Sequence, residues 1–203
     1  MALRRFLPGK ISVLNGVPII GQAKLFDRTI VDTNYKFPNV RALRNHVLEG
    51  DDVVIIGGGY GVTSVVAARC SGHKGSVYTF EASSERCDNL TTTMEINRLK
   101  ERVKIINLVV GEYLDGPDEK SSAGIIEPRN LPRCEVLELD CEGAEKLILD
   151  NITWKPRILI VETHPQLGAE TSPIISRIQE LGYTIEEETP DPKDGDILVS
   201  KLI

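Results

Sequence analysis

A glycine-rich segment directly after an apolar run is the feature that most restricts how this chain folds. Residues 53–64 read VVIIGGGYGVTS, so four aliphatic residues precede three glycines, a tyrosine and a fourth glycine. A short, wholly apolar run is typical of a strand buried on both faces of a sheet. Glycines at its end allow positive φ and a close approach of another group to the backbone. The segment therefore predicts a strand, a tight turn and the beginning of a helix, and the turn is either a ligand site or only a connection.

Apolar runs alternate with helix-like segments along most of the chain. Strands are predicted at residues 53–56, 77–80, 103–110, 136–139, 157–161, 183–187 and 196–202. Helices are predicted at residues 62–70, from a capping serine at 83, at about 143–151 and from 172 to a glycine at 182. This alternation predicts a mostly parallel, doubly wound α/β sheet with helices on both faces. Such sheets bind ligands beyond the carboxyl ends of their strands, so function is expected in the loops there.

The first fifty residues have a different pattern and are predicted to form an N-terminal extension. An Asn-Gly pair at 15–16 stands between two apolar runs, which indicates a hairpin with a primed turn. Asn39 is predicted to cap a short amphipathic helix. We therefore divide the chain into residues 1–50, a hairpin and helix packed on the domain, and residues 51–203, the domain itself.

Charge and cysteine content restrict the partners and the compartment. The net charge of −6 argues against a nucleic-acid partner, because binding to phosphates needs clustered lysines and arginines. No apolar stretch is long enough to span a bilayer, and no signal peptide is indicated. The four cysteines form no C-x-x-C pair, which is typical of thiols in a reducing cytosol. We therefore expect a cytoplasmic protein without nucleic-acid or membrane partners, whose oligomeric state the sequence does not indicate.

Glycine spacing and one acid predict a nucleoside-bearing cofactor. Gly57, Gly59 and Gly61 follow a G-x-G-x-G pattern at a turn whose helix N–H groups favour an anion. Glu81 ends the next strand, where a carboxylate either accepts two hydrogen bonds from a ribose diol or remains solvated. A dinucleotide fingerprint would need its last glycine at Val62. The third glycine comes one residue earlier, which favours S-adenosyl-L-methionine and leaves an NAD(P)-dependent oxidoreductase as the alternative.

Four segments of the chain resemble, in order, motifs of the FkbM-type methyltransferases. They are VVIIGGGYGVTS, VYTFEASSERCDNL, VLELDCEGAEKLIL and ILIVETHP, and they extend from residue 53 to residue 165. The D-x-E-G-x-E and E-x-H blocks are specific, whereas the glycine turn is common to the class I S-adenosylmethionine-dependent superfamily. The resemblance implies a Rossmann-like, seven-stranded sheet with a reversed last strand. It also implies O-methylation of a hydroxyl group on a small molecule or saccharide.

The resemblance also implies a cofactor site. The three alternating glycines would line the methionine end of the cofactor, and Glu81 would hold its ribose. The full predicted cofactor site consists of Gly57, Gly59, Tyr60, Gly61, Thr63, Glu81, Ala82 and Asp140.

Acids and one histidine follow two neighbouring strands, and the resemblance implies that they are catalytic. The D-x-E-G-x-E block places acids at Asp140, Glu142 and Glu145, and the E-x-H block contains Glu162 and His164. The ends of adjacent parallel strands meet at one edge, so these side chains are expected within a few ångströms of one another. The predicted catalytic residues are His164, Asp140, Glu142 and Glu162. His164 is the predicted general base for a hydroxyl acceptor, oriented by Glu162 or Asp140, and nearby carboxylates would raise its pKa.

Other uses of the same residues are also compatible with the sequence. His164 would otherwise hydrogen-bond only the loop backbone, and Glu142 and Glu145 would otherwise stabilise the N-terminus of their helix. The acids and the histidine would also be able to hold a divalent metal, although no metal site is predicted.

Two positions depart from the FkbM pattern. The family usually has an acid where this chain has Ile55, and a lysine where this chain has Glu138. The first departure removes one expected cofactor contact, and the second changes the local charge by two units. Both departures are compatible with an alternative function, that of a non-catalytic family member that binds S-adenosylmethionine or no cofactor.

Residues 112–132 interrupt the alternation with a run rich in proline, glycine and charged residues. A loop of this length in a compact domain is often a lid or a binding loop. We predict that it covers the acceptor side of the site, the alternative being a disordered insertion.

Overall fold

The N-terminal elements form a small sheet and one helix. The computed structural model describes residues 7–111, 123–191 and 195–203. Its first strands are β1 (Gly9–Leu14), β2 (Val17–Lys24) and β3 (Val31–Asp32), arranged in the order β2-β1-β3. The turn between β1 and β2 has positive φ at both Asn15 and Gly16, which confirms the primed turn. Helix α1 follows at Phe37–His46.

A seven-stranded sheet forms the centre of the molecule. Its strands are β4 (Val53–Ile56), β5 (Val77–Phe80), β6 (Val103–Ile106), β9 (Val136–Leu139), β10 (Ile158–Glu162), β11 (Tyr183–Asp191) and β12 (Gly195–Leu202). Their spatial order is β11-β12-β10-β9-β4-β5-β6. Strand β12 is antiparallel to β10 and β11, and the other pairings are parallel. The predicted doubly wound sheet with a reversed last strand is confirmed.

Helices cover both faces of this sheet. They are α2 (Val62–Ser71), α3 (Ser84–Ile96), α4 (Glu145–Asn151) and α5 (Thr171–Glu180). One buried cluster contains residues of α1, α2 and α3, and a second contains residues of α4 and α5. Leu14, Val17 and Ile19 of the N-terminal hairpin belong to the same cluster as Val53 and Ile55 of β4. The described part of the N-terminal extension, residues 7–50, therefore shares a core with the domain.

The prediction of one continuous strand at residues 103–110 is wrong. Residues 103–110 divide into β6 and a separate strand, β7 (Leu108–Val110), which pairs in parallel with β8 (Gly124–Ile126) outside the main sheet. Asn107 stands at the break. Its side-chain amide donates hydrogen bonds to the backbone carbonyls of Glu81 and Ala82 at 2.9 and 3.1 Å. These bonds tie the chain to the end of β5 while its backbone leaves the sheet.

The predicted cap of the first helix is also wrong. The helix begins earlier, after Lys36, and Asn39 lies inside its first turn. Pro38 suits this position because a first-turn N–H has no partner within the helix. The buried side chain of Asn39 is used elsewhere, as a hydrogen-bond donor to Glu138 and Glu162.

Most of the polar segment predicted as a lid lies outside the described residues. Its described part, residues 123–132, is not an open loop. It forms β8 and a 3-10 turn at Pro128–Asn130, and Leu131 is 4% exposed. This part packs on the domain, because Leu131 joins the core beside α4 and α5.

The glycine turn after β4 is required mainly by packing. A Cβ on Gly57, whose φ is +96°, would lie 1.8 Å from the carbonyl oxygen of Asp140. A Cβ on Gly58 would lie 2.6 Å from Leu90 Cδ1, and one on Gly61 would lie 2.9 Å from Leu90 Cδ2. At Gly59, by contrast, the nearest atom is the Tyr35 hydroxyl at 3.9 Å. The turn therefore presses against β9 and α3, and Gly59 is the glycine that faces open space.

We expect Gly57→Ala to be strongly destabilising, because the new methyl group would overlap a backbone oxygen that cannot move without breaking the sheet. Chemical denaturation should show a loss of at least about 4 kcal/mol in the free energy of unfolding. Gly16→Ala is the matched control, since Gly16 also has positive φ but open space around its Cβ position. Its cost should be about 1–2 kcal/mol, the price of the backbone conformation alone. Equal losses in the two variants would contradict the packing explanation.

Candidate functional site

A cavity of about 920 Å³ opens at the carboxyl ends of the central strands. It lies at the switch point between β4 and β9, from which successive strands extend in opposite directions. Six predicted site residues from these strand ends line it: Gly57, Gly59, Glu81, Asp140, Glu162 and His164. The predicted Tyr60 and Glu142 also border it. The location predicted for the site therefore coincides with this cavity.

Glu81 holds the glycine turn in place. Its Oε2 accepts a hydrogen bond from the Gly59 N–H at 2.9 Å, and its Oε1 accepts one from the Ser83 N–H at 2.9 Å. The residue is only 4% exposed, yet it borders the cavity. Each carboxylate oxygen has a second lone pair, so the group can still accept hydrogen bonds from a ligand. Both oxygens are fixed by the backbone, which keeps them oriented before a ligand arrives.

An acid cluster with a lysine at its centre occupies the other end of the cavity. The Lys36 ammonium group forms an ion pair with Asp140 Oδ2 and lies 3.5 Å from Glu162 Oε2. The side chains of Asp140 and Glu162 are 11% and 6% exposed, so these charges interact in a poorly solvated space. Sequence reasoning missed Lys36, because no periodicity or motif marks a residue outside the sheet as part of its edge.

Glu138 is a buried acid just beneath this cluster. Asn39 Nδ2 donates hydrogen bonds to Glu138 Oε1 at 3.3 Å and to Glu162 Oε2 at 3.1 Å. Burial raises the pKa of Glu138 to about 7, although Lys36 and Asn39 oppose the shift. In the sheet register Glu138 lies directly opposite Ile55. Ile55 and Glu138, the two positions that depart from the FkbM pattern, are therefore neighbours in the sheet. Each departure alters the charge expected at that position of the sheet.

His164 is oriented by Glu145, not by Glu162 or Asp140 as predicted. Its Nδ1 lies 2.8 Å from Glu145 Oε1, whereas its Nε2 is 3.7 Å from Asp140 Oδ1. A carboxylate only accepts hydrogen bonds, so Nδ1 carries the proton and Nε2 keeps a lone pair. Burial alone would lower the pKa of His164, but the hydrogen bond and charge of Glu145 and the charge of Glu162 raise it overall.

Glu145 has two functions at once. Besides contacting His164, it accepts hydrogen bonds from the backbone N–H groups of Cys141 and Gly143 at 3.0 and 2.9 Å. These contacts hold the loop before α4, so Glu145 also stabilises the N-terminus of that helix, which was one of the two uses compatible with the sequence. The residue is fully buried, and His164 lowers the pKa of its carboxyl group against the opposing effect of burial.

Four predicted residues take other positions. Glu142 has a positive φ of 54°, and its exposed carboxylate lies 3.7 Å from Arg86 Nη1 instead of beside His164. Its left-handed backbone directs the side chain away from the acid cluster. The others are Gly61, Thr63 and Ala82, which are not among the described residues that line the cavity.

The N-terminal segment provides one wall of the cavity. Within residues 32–39, Tyr35 packs edge-on against Tyr60, with ring centroids 6.1 Å apart. Burial, with smaller effects from Tyr60 and Glu162, raises the pKa of Tyr35 to about 12. None of the described residues 123–132 lines the cavity, whereas Gln166 and Leu167 after β10 do. For these described residues, the predicted position over the site is wrong.

Three side chains have the composition and spacing of a metal site. One ligand atom from each of Asp140, Glu162 and His164 lies within 4.8 Å of the other two. Oxygen and imidazole ligands of this kind suit several divalent ions. The same space contains the Lys36 ammonium group, which already neutralises part of the acidic charge.

Comparison with solved structures identifies the fold. An S-adenosylmethionine-dependent O-methyltransferase from Thermotoga maritima matches with a TM-score of 0.56 and 18% identity, covering 97% of this chain and 78% of that one. The O-methyltransferase TomG from Streptomyces achromogenes, in complex with S-adenosylmethionine, has a TM-score of 0.55 and 13% identity, covering 81% and 79%. A Bacillus cereus O-methyltransferase in complex with S-adenosylhomocysteine has a TM-score of 0.53 and 14% identity, covering 82% and 81%. This chain has the class I methyltransferase fold.

Structural neighbours of this chain differ in the acceptor that their names give. A protein described as an rRNA methylase from Clostridium thermocellum has a similar TM-score of 0.56, at 15% identity. The fold therefore does not select an acceptor. No family model and no curated protein matches the chain. Among the helices that the structure describes, none has the length and apolar character needed to cross a bilayer.

We expect an NMR titration of the His164 ring to give a pKa above its ordinary value of about 6.5. Glu145→Gln should lower this pKa, because it removes the charge that favours the imidazolium form. Glu142→Gln is the matched control. It removes an acid three residues before Glu145 in sequence, and the carboxylate of Glu142 is exposed and paired with Arg86. The control should leave the His164 titration unchanged. A wild-type pKa in Glu145→Gln would show that another group orients the ring.

Proposed function

We propose that this protein is an S-adenosylmethionine-dependent methyltransferase that methylates a hydroxyl group. The observation that carries the proposal is that one cavity is lined by both Glu81 at the end of β5 and His164, whose ring is hydrogen-bonded to the buried Glu145. In this proposal Glu81 binds the ribose of the cofactor, and His164 is a base whose Nδ1 is held by Glu145. The fold supports this assignment, since the neighbours from Bacillus cereus and Streptomyces achromogenes are complexes with S-adenosylhomocysteine and S-adenosylmethionine.

The cavity fits the cofactor at its Glu81 end. The fixed carboxylate of Glu81 retains lone pairs for the two ribose hydroxyls, and Gly59 leaves open space above the turn. Tyr60 adds an aromatic wall. When bound, S-adenosylmethionine supplies a methyl group that is activated by a positively charged sulfur.

His164 is the general base in this proposal. Nδ1 is held by Glu145, so Nε2 is the nitrogen able to accept the proton of an acceptor hydroxyl. Nε2 would take up the hydroxyl proton of the acceptor as its oxygen receives the methyl group. Glu145 stabilises the resulting imidazolium ion. The distance of 3.7 Å from Nε2 to Asp140 Oδ1 leaves Nε2 without a short internal hydrogen bond.

A small molecule or saccharide is the acceptor that we propose. The net charge of −6 and the acids around the cavity disfavour a polyanion such as RNA. The motif resemblance supports an FkbM-type enzyme, whose members act on hydroxyl groups. We also propose a cytoplasmic location, in keeping with four free cysteines.

Two alternatives receive less support. An NAD(P)-dependent oxidoreductase would need a glycine or alanine where Val62 stands, and the reversed β12 is the arrangement that the methyltransferase resemblance implies. A non-catalytic protein was suggested by Ile55 and Glu138. However, Glu138 is accommodated by Asn39 and by its raised pKa, so these departures do not disturb the His164–Glu145 pair.

We expect Glu81→Ala to weaken binding of S-adenosylhomocysteine by about 1–3 kcal/mol in a calorimetric titration. The variant removes a charged acceptor from the ribose and also releases the Gly59 N–H group. Glu101→Ala removes an exposed acid outside the cavity and should bind like the wild type. Wild-type affinity in Glu81→Ala would exclude Glu81 from the cofactor site.

We expect His164→Ala to reduce kcat about 10²–10⁴-fold with an acceptor found by screening, while the cofactor Kd stays within a few-fold. A base works only when deprotonated, so the wild-type rate should rise with pH through the His164 pKa. Because Glu145 and Glu162 raise that pKa, the rise should be centred above about pH 6.5 and should be absent in the variant. A folded variant that keeps the wild-type rate and profile would exclude His164 as the base.

A further inference from the structure

The ammonium group of Lys36 lies where a divalent cation would be bound. It contacts Asp140 Oδ2, lies 3.5 Å from Glu162 Oε2 and shares the cavity with His164. Asp140, Glu162 and His164 are the three residues whose ligand atoms converge within 4.8 Å. The lysine side chain is 25% exposed, so it is not sealed in the core. The cluster therefore has a built-in cation that faces the cavity.

The backbone is arranged to place this side chain. Lys36 has a φ of +45°, a left-handed conformation that residues with a Cβ rarely adopt. The segment is held on both sides of that residue. Asn15 donates its backbone N–H to Asp32 O at 2.7 Å and its side-chain amide to Tyr35 O at 3.2 Å. Immediately after Lys36, α1 begins, and Asn39 in its first turn binds the same Glu162. A strained residue maintained in this way suggests a functional position.

The charges favour the lysine over a metal ion. The carboxylates of Glu138, Asp140 and Glu162 approach the segment that carries Lys36, and its ammonium group balances part of their charge. A divalent ion entering the cluster would meet this fixed positive charge within a few ångströms, in a poorly solvated space. It would have to displace the ammonium group from both Asp140 and Glu162.

We propose that Lys36 is a catalytic residue that takes the place of a metal ion at the acceptor site, an inference that rests on the proposed function. An ammonium group has three N–H donors, and Asp140 and Glu162 engage two of them. The third donates to the acceptor oxygen. As the hydroxyl proton passes to His164 Nε2 and the oxygen bonds to the methyl carbon, Lys36 stabilises the negative charge that develops on that oxygen. No electron or co-reactant beyond the methyl donor is needed.

The experiment titrates Mn²⁺ into the wild type and two variants, measuring binding by calorimetry. Lys36→Gly removes the ammonium group and suits the positive φ at this position, and Lys36→Gln removes the charge but keeps a polar side chain. Lys74→Gln is the control, since it removes an exposed lysine far from the cavity. Both Lys36 variants should bind Mn²⁺ at least about tenfold more tightly than the wild type and the control. Adding Asp140→Asn to Lys36→Gly should abolish the gain.

Two results would overturn the metal-replacement proposal. One is a wild type that binds Mn²⁺ as tightly as the variants, since a metal would then be the resident cation. The other is a folded Lys36→Gly or Lys36→Gln protein, checked by circular dichroism, without any gain in Mn²⁺ affinity. The wild-type titration is decisive even if one variant fails to fold.

The catalytic part is tested by turnover once an acceptor has been found. Wild-type kcat should not change when EDTA is added, Lys36→Gly should lose most activity, and Mn²⁺ should partly restore it. Loss of wild-type activity with EDTA would overturn the proposal for Lys36 but leave the methyltransferase function intact. Failure of the wild type to bind S-adenosylhomocysteine would instead overturn the proposed function. This binding is measured in a separate titration without metal.

Discussion

The parallel pairing of β4 with β9 is the contact on which the site depends. The two strands are in register from Val53 opposite Val136 to Ile56 opposite Leu139, and the turn after β4 presses Gly57 against the Asp140 carbonyl. Any side chain at Gly57 would separate the two strand ends. The pairing therefore fixes the distance between the glycine turn and the acids after β9, and both border the cavity.

The same register explains why the N-terminal segment is part of the site. It places the buried Glu138 opposite the apolar Ile55, so no charge within the sheet balances it. The compensation comes from outside the sheet, through the Asn39 amide and the Lys36 ammonium group. The buried Glu138 is therefore partnered by residues of the N-terminal segment, which lies outside the central sheet.

The sequence predicted the strands and their functional edge, because a run such as 53–56 is aliphatic throughout and has no other stable environment. It also predicted that Glu81 and His164 would meet one cavity, since parallel strands place their carboxyl ends together. It did not predict which acid would orient His164. That choice depends on side-chain direction: the positive φ of Glu142 directs it toward Arg86, while Glu145 at the start of α4 reaches back to the ring. Lys36 was missed because its position follows from tertiary packing alone.

The acids at the two ends of the cavity have different partners, since Glu81 is held by the backbone and Asp140 and Glu162 by side chains. Glu81 is fixed by the backbone N–H groups of Gly59 and Ser83, which belong to the sheet edge and cannot leave without distorting it. Asp140 and Glu162 are instead held by side chains of the N-terminal segment, through Lys36 and Asn39. Displacing that segment would release both acids and remove the Tyr35–Tyr60 contact, but it would not break the backbone hydrogen bonds that hold Glu81. The orientation of Glu81 therefore does not depend on the N-terminal segment, whereas the orientations of Asp140 and Glu162 do.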